Sequence, residues 1–70
     1  MKYDEALKLK KGDLVVMDNR STHYIGMVFE IDDITSIDNW CLRVTLKQPI
    51  FNNDFRIYNY DTRRLKRYEP

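Results

Sequence analysis

Short apolar runs separated by turn-forming residues are the feature that most limits how this chain folds. The first nine residues allow one helical turn or an extended lead-in, and no later run is a helix of any length. Several short strands with turn signals between them are typical of an all-β sandwich or barrel. An immunoglobulin-type sandwich takes about 100 residues. This chain has 70, so the pattern predicts a five-stranded barrel.

The turn signals divide the chain into five predicted strands, with a short 3₁₀ turn before the last, in one domain spanning 1–70. Gly26 lies inside the second strand and marks a bulge or a close backbone approach there. The predicted elements are strand one at 13–18, a loop at 18–23, strand two at 24–31, a polar connection at 32–39, strand three at 40–47, a connection at 48–54, strand four at 55–58 with an extension to Tyr60, a 3₁₀ turn at 61–65 capped by Asp61 or Thr62, and strand five at 66–68.

Strand three shows the clearest alternation, which predicts one buried face and one face in water. Its buried row is predicted to be Trp40, Leu42, Val44 and Leu46, and its outward row Cys41, Arg43, Thr45 and Lys47. In strand four, Phe55 and Ile57 are expected to face the core, and Tyr58 and Tyr60 to lie on the opposite row.

Two segments carry a resemblance to a known group of folds. Residues 9–16 read Leu-Lys-Lys-Gly-Asp-Leu-Val-Val, and residues 26–31 read Gly-Met-Val-Phe-Glu-Ile. With a terminal turn ending in Leu65, this layout resembles the SH3-like small barrels, in the group that includes KOW and Tudor domains. The resemblance implies a five-stranded barrel whose loops and one exposed sheet face bind RNA, DNA, modified peptide tails or protein partners.

The sequence also departs from these relatives. Residues 19–23 fill the loop after the first strand, where KOW domains usually carry glycines. Nothing looks like the acidic and aromatic ligand groove of a signalling SH3 domain, so recognition of proline-rich peptides is not implied.

Composition narrows the setting in which the chain works. One cysteine and one histidine are too few for a disulfide framework or a structural zinc site, so we expect no metal and no cofactor. No apolar run approaches the ~18 residues of a membrane helix, and no signal peptide is evident, which predicts a cytoplasmic protein with no membrane partner. The preference for Ile, Lys, Asn, Asp and Tyr over Gly, Ala and Pro is typical of AT-rich coding sequences and indicates a bacterial or phage origin.

The charge is unevenly distributed, because residues 1–42 carry a net −3 and residues 43–70 a net +4. In the segment 55–68, five basic residues alternate with four aromatic ones, and Asp61 is the single opposing acid. Cations suit phosphates and flat rings suit exposed bases, so the segment fits a single-stranded or RNA target. The candidate binding residues are Arg56, Tyr58, Tyr60, Arg63, Arg64, Lys66 and Arg67.

The same composition allows other interpretations. The basic residues could merely solvate an edge strand and keep it from aggregating, or they could bind an acidic protein surface. A stand-alone module of this kind would also suit a phage or mobile-element factor that occupies a host nucleic-acid enzyme. A subunit that completes a neighbour's sheet through an exposed edge is a further possibility.

Three other kinds of site are weighed and set aside. The acidic segment lacks the Gly and the final Glu of an EF-hand loop, so a solvated turn is predicted rather than a calcium site; its residues are Glu30, Asp32, Asp33 and Asp38. A Tudor-style aromatic cage from Trp40, Tyr24, Tyr58 and Tyr60 conflicts with the assignment of Trp40 to the core. Cys41 and His23 have no evident third partner, so we expect an inert thiol, a solvated histidine and no enzyme activity. A barrel this small also offers little volume for a small-molecule substrate.

Overall fold

A computed structural model describes residues 1–49 and 55–69, and within these ranges the chain forms five strands, one helical turn and one 3₁₀ turn. In chain order they are α1 (Tyr3–Ala6), β1 (Leu14–Met17), β2 (Val28–Ile37), β3 (Leu42–Lys47), β4 (Arg56–Asp61), the 3₁₀ turn (Thr62–Arg64) and β5 (Leu65–Arg67).

The strands form one antiparallel sheet in the order β4-β3-β2-β1-β5. The all-β class, the five strands and the 3₁₀ turn before the last strand are therefore confirmed. The sheet is open, because β4 and β5 do not pair with each other in the described part of the chain. The last strand instead lies beside the first.

β1 forms where the sequence predicts it, after a turn that glycine makes possible. Gly12 has a φ of +98°, which residues with a side chain rarely adopt. Its N–H donates to the carbonyl of Ile31 over 2.8 Å, and the N–H of Ile31 donates back to Asp13 over the same distance. The predicted lead-in at residues 1–9 becomes the single helical turn α1, which places Ala6 and Leu9 in the core.

The prediction for the second strand is wrong at both ends. The predicted strand at 24–31 begins only at Val28, and the predicted polar connection at 32–39 is strand as far as Ile37. Asp32 and Thr35 are extra residues at two register shifts against β3. Each bulge shifts the alternation by one residue, so a stretch with two of them does not show the period of a strand.

Gly26 precedes β2 and is not a bulge within it. It has a φ of +82°, and its N–H donates to the carbonyl of Met17 over 2.9 Å. Residues 24–27 therefore form a turn that closes against the end of β1, and the glycine is required by that turn.

The predicted buried row of the third strand is confirmed from Leu42 onward and wrong at Trp40. Leu42, Val44 and Leu46 are buried as predicted. Trp40 keeps 60% of its surface exposed, while Cys41, expected to face outward, is 1% exposed. Both precede β3, in a connection where the N–H of Asp38 donates to the carbonyl of Cys41 over 2.8 Å.

Thr45, also expected to face outward, is buried. It lies between the register shifts of β2 on one side and β4 on the other.

β4 contains a bulge that reverses one predicted orientation. Its pairing with β3 passes from Ile57 opposite Leu46 to Tyr60 opposite Val44, so three steps in β4 match two in β3. Asn59, inside this bulge, has a φ of +56°. Tyr58 is exposed as predicted, but Tyr60 packs against the core, which contradicts its predicted place on the outward row. Residues 50–54 of the predicted connection at 48–54 lie outside the described part of the chain.

The 3₁₀ turn is confirmed, and Asp61 is its cap. A carboxylate oxygen of Asp61 accepts a hydrogen bond from the N–H of Arg63 over 2.9 Å. Thr62 is buried and its hydroxyl donates to the carbonyl of Leu42 over 2.7 Å. This bond fixes the turn against the start of β3 and directs the chain into β5, which begins at Leu65.

A single core is formed by one row of side chains from the strands together with α1. Tyr24 closes one side, with its ring 6.2 Å from that of Phe29 and 5.6 Å from that of Phe55, both edge-to-face. The buried cluster is Ala6, Leu9, Val15, Met17, Phe29, Ile31, Leu42, Val44, Leu46 and Leu65.

Candidate nucleic-acid interface

The seven candidate residues fall into two groups, one at each end of the strand order. Arg56, Tyr58 and Tyr60 lie on β4. The second group belongs to the 3₁₀ turn and β5, and consists of Arg63, Arg64, Lys66 and Arg67. The sheet order places β4 and β5 at opposite edges, so strand pairing does not bring the two groups together.

Arg56 takes part in a ladder of ion pairs across three strands. Its Nε lies 3.1 Å from a carboxylate oxygen of Asp32 on β2. Lys47 on β3 lies 3.6 Å from Asp32 and 3.1 Å from Glu30. Two cations and two carboxylates therefore balance each other, and Arg56 has its charge compensated within the sheet.

The two tyrosines of β4 differ in what they offer a ligand. Tyr58 keeps 73% of its surface exposed. Tyr60 is half-buried, and its hydroxyl accepts a hydrogen bond from the side-chain amide of Asn19 over 2.9 Å. Only Tyr58 presents most of its ring to solvent.

The acidic segment is part of a strand and not the solvated turn that the sequence predicts. Glu30 and Asp32 belong to the ion-pair ladder, and Asp33 accepts a hydrogen bond from the backbone N–H of Ile34. Asp38 pairs with Arg43 at 3.2 Å. In the described residues, no three His, Cys, Asp or Glu side chains are grouped closely enough to hold a metal ion.

At the end of β4, Asp61 holds the side chain of Arg63 in place. The two groups make a forked contact, with Nε 3.0 Å and Nη2 2.6 Å from the same carboxylate oxygen, and Nε 3.1 Å from the other. These hydrogen bonds keep the pKa of Asp61 well below its usual range. The guanidinium of Arg63 is half-exposed but fixed in direction.

The indole of Trp40 lies beneath this guanidinium. The Cζ atom of Arg63 is 4.9 Å from the centre of the ring, which is a cation–π contact. The connection that carries Trp40 is tied down by the hydroxyl of Tyr3, which donates to the carbonyl of Asp38 over 2.6 Å. Sequence reasoning assigned Trp40 to the core and missed it as a surface group. The turn-forming Asp38 and Asn39 before it were the signal that the strand had not yet begun.

Three further cations follow Arg63 along the chain. Arg64, Lys66 and Arg67 are exposed, and none makes an ion pair with another described residue. The carbonyl of Arg64 accepts a hydrogen bond from the N–H of Asp18, which joins the turn to the end of β1. We call Trp40, Arg63, Arg64, Lys66 and Arg67 the basic surface.

A shallow groove of about 620 Å³ runs along β5 beside the basic surface. Lys66 and Arg67 line it, together with Glu5 and Glu69. The two carboxylates reduce the positive potential of the groove around Lys66 and Arg67.

An apolar depression of about 380 Å³ adjoins this groove. Its apolar lining comprises Leu14, Met27, Val28, Pro49 and Tyr68. Leu14, Met27 and Tyr68 each keep more than a third of their surface exposed.

Cys41 and His23 lie in different environments, the first buried and the second exposed. Burial, followed by a hydrogen bond to Asp61, raises the pKa of the Cys41 thiol, so the sulfur stays protonated near neutral pH. His23 is exposed in the turn region before β2.

No protein-family model, curated protein or solved structure matches the chain. Within residues 1–49 and 55–69, no helix has the length and apolar character needed to cross a bilayer.

Proposed function

We propose that this chain is a non-enzymatic domain of the SH3-like barrel type that binds nucleic acid through the basic surface. The strand order supports the barrel, because β5 lies beside β1 after a 3₁₀ turn of three residues. The bulges in β2 and β4 also support it, since bulges bend strands and increase their twist. A lone cysteine fits a cytoplasmic setting.

One observation carries the proposal: an exposed indole lies under the guanidinium of Arg63, and the three exposed cations that follow Arg63 along the chain have no ion pair among the described residues. Nucleic acids require cations near their phosphates and gain from flat rings against their bases. Arg56 and Tyr60 fit this role less well, because the first is balanced by Asp32 and the second packs against the core.

The test measures how binding depends on salt. Labelled oligonucleotides are titrated with the protein at several salt concentrations, and the affinity is followed by fluorescence anisotropy. Each neutralised phosphate contributes about −0.7 to −0.9 to the slope of log K against log salt, so three contacts predict a slope of about −2 to −3. The variant Arg64→Gln with Lys66→Gln should reduce this slope by about 1.4 to 1.8.

Lys11→Gln is the matched control. Lys11 precedes β1, whereas Arg64 bonds to Asp18 just after β1, so the two cations lie at opposite ends of that strand. The control should keep the slope of the unmodified protein. Absence of binding at low salt, or an equal slope in the double variant, contradicts the proposal.

The apolar depression favours a second candidate function, a module that binds a protein. Such a module could be a phage or mobile-element factor that inhibits or modulates a host nucleic-acid enzyme. A stoichiometric complex recovered from host lysate should then survive nuclease treatment and should be lost with Met27→Glu, since Met27 is exposed in the depression. Loss of every captured protein on nuclease treatment excludes this alternative.

A further inference from the structure

We propose that the ligand of the basic surface is a single strand, one base of which stacks on the indole of Trp40. In this arrangement Arg63 is a positioning residue that presents the ring, and Arg64 contacts phosphate. The inference rests on the proposed function and adds to it the class of nucleic acid and the residue that distinguishes it.

Trp40 is exposed to solvent and held in a fixed position. The indole is a large apolar group, and leaving it in water forgoes stabilisation that burial would give. The connection around it is nevertheless held by the bond between Asp38 and Cys41 and by the bond from Tyr3 to Asp38. The ring is therefore presented by ordered backbone and does not sit on a free loop.

Arg63 covers part of the Trp40 ring and leaves the rest within reach of a ligand. Arg63 lies over one face at 4.9 Å. Trp40 keeps 60% of its surface exposed, so much of the indole remains open to solvent beside the contact with Arg63. That open part of the ring is flat and can serve as a stacking platform for a base.

The neighbouring residues Arg63 and Arg64 have different roles at this site. The guanidinium of Arg63 is already committed to the carboxylate of Asp61 through three contacts, so its charge is largely compensated. Arg64 has no such partner among the described residues. Arg64 is therefore the phosphate contact closest along the chain to the stacked base, with Lys66 and Arg67 following on β5.

A single strand fits the exposed indole better than a duplex does. Bases within a duplex are stacked on both faces, so a protein ring reaches a base face only after unstacking, which costs free energy. A single strand offers its bases without that cost. Arg64 ends the 3₁₀ turn, and Lys66 and Arg67 follow on β5, so the three cations lie within four consecutive residues and suit a short stretch of flexible strand.

Trp40 is the sole tryptophan of the chain, so its emission reports this site alone. A short single-stranded oligonucleotide, as DNA and as RNA, is compared with a two-stranded blunt duplex of equal phosphate number, which has no unpaired loop. We expect the single strand to quench the emission and to bind at least about tenfold more tightly than the duplex, from the usual contribution of one stacked base.

Variants then separate stacking from charge. Trp40→Ala should lower the affinity for the single strand about tenfold with the salt slope unchanged, and Trp40→Phe should recover part of the loss. Arg63→Gln should lower affinity with nearly the same salt slope, whereas Arg64→Gln should reduce the slope by about 0.7. A merely structural role for Arg63 would leave affinity unchanged once folding is verified by circular dichroism.

The outcomes separate the two proposals. If no oligonucleotide binds, the proposed function and this inference both fail. If the duplex binds as tightly as the single strand without quenching, the inference is overturned while the nucleic-acid function stands. Unchanged affinity in Trp40→Ala, or a slope lowered by Arg63→Gln as much as by Arg64→Gln, also overturns it.

Discussion

At the scale of single residues, Asp61 connects more of the site than any other side chain described. Its carboxylate caps the 3₁₀ turn and holds the guanidinium of Arg63 through three contacts. A carboxylate that accepts several hydrogen bonds, with a cation adjacent, is strongly favoured in its ionised form. The position of Arg63 over Trp40 thus depends on the charge of Asp61.

Asp61→Asn tests that charge, because asparagine can still cap the turn but cannot form the ion pair. We expect the free energy of unfolding to fall by about 1 kcal/mol at neutral pH, since Arg63 is half-exposed and water weakens the pair. Urea denaturation of both proteins measures the difference.

The contribution of Asp61 to the free energy of unfolding should decrease as the solution becomes acidic. The pKa of Asp61 is lower in the folded protein than the value of about 3.9 in an unfolded chain, so its stabilisation is present above that value and is lost as pH falls below it. The difference in the free energy of unfolding between the unmodified protein and Asp61→Asn should therefore narrow below about pH 4. A gap that is constant down to acidic pH would show that the charge of Asp61 is not its source.

At the scale of elements, the bulge in β4 depends on one backbone conformation. Asn59 has a φ of +56°, and its side-chain oxygen accepts a hydrogen bond from the hydroxyl of Thr35 over 3.0 Å. Asparagine tolerates this left-handed region better than most residues. The bulge turns Tyr60 inward while leaving Tyr58 in water, so a single residue decides which tyrosine a ligand could meet.

Asn59→Ala should lower the free energy of unfolding by about 1 to 2 kcal/mol, because alanine is strained at positive φ. Asn59→Gly is the matched comparison, since it also removes the bond to Thr35 but adopts positive φ freely. Thermal unfolding followed by circular dichroism compares them. Equal losses in the two variants would assign the effect to the hydrogen bond and not to the backbone.

At the scale of the whole molecule, the strands and α1 share one core, and the interface is attached to it. Thr62 links the 3₁₀ turn to β3 through the carbonyl of Leu42, and Leu65, directly after the turn, is buried in the same cluster. A chain this short buries only about 60% of the surface it exposes when unfolded, so its stability is modest. Loss of core packing should therefore release the basic surface at the same time.

Ile31→Val removes one buried methylene next to the first bulge of β2, and we expect it to cost about 1 kcal/mol. Far-ultraviolet circular dichroism and the emission of Trp40 should give coincident unfolding transitions in both proteins, as two-state unfolding requires. Separate transitions would mean that the basic surface unfolds independently of the sheet.

Much of this architecture was predictable from local signals. Gly12 predicts the turn before β1, the apolar row of Leu42, Val44 and Leu46 predicts β3, and Asp61 or Thr62 is predicted to cap the 3₁₀ turn. Each of these signals lies within a few residues of the structure that it specifies, and each prediction is confirmed.

The features that were missed depend on partners distant in sequence. Asp32 and Thr35 become bulge residues only because β3 lies beside them, and the inward turn of Tyr60 follows from a bulge that no pattern of alternation records. Trp40 was predicted to be buried and is exposed, and Cys41 was predicted to be exposed and is buried. Both errors arise because the alternation of β3 was extended by two residues into the connection that precedes it. The indole central to the proposed interface was therefore placed in the core.

The burial of Cys41 has a practical consequence for work with this protein. A protonated sulfur that is 1% exposed reacts slowly with thiol reagents, and it is shielded from forming disulfides between molecules while the fold is intact. Because the side chain is buried, the rate at which Cys41 is chemically labelled reports how often the structure around it opens. A tightly bound oligonucleotide should slow the labelling of Cys41.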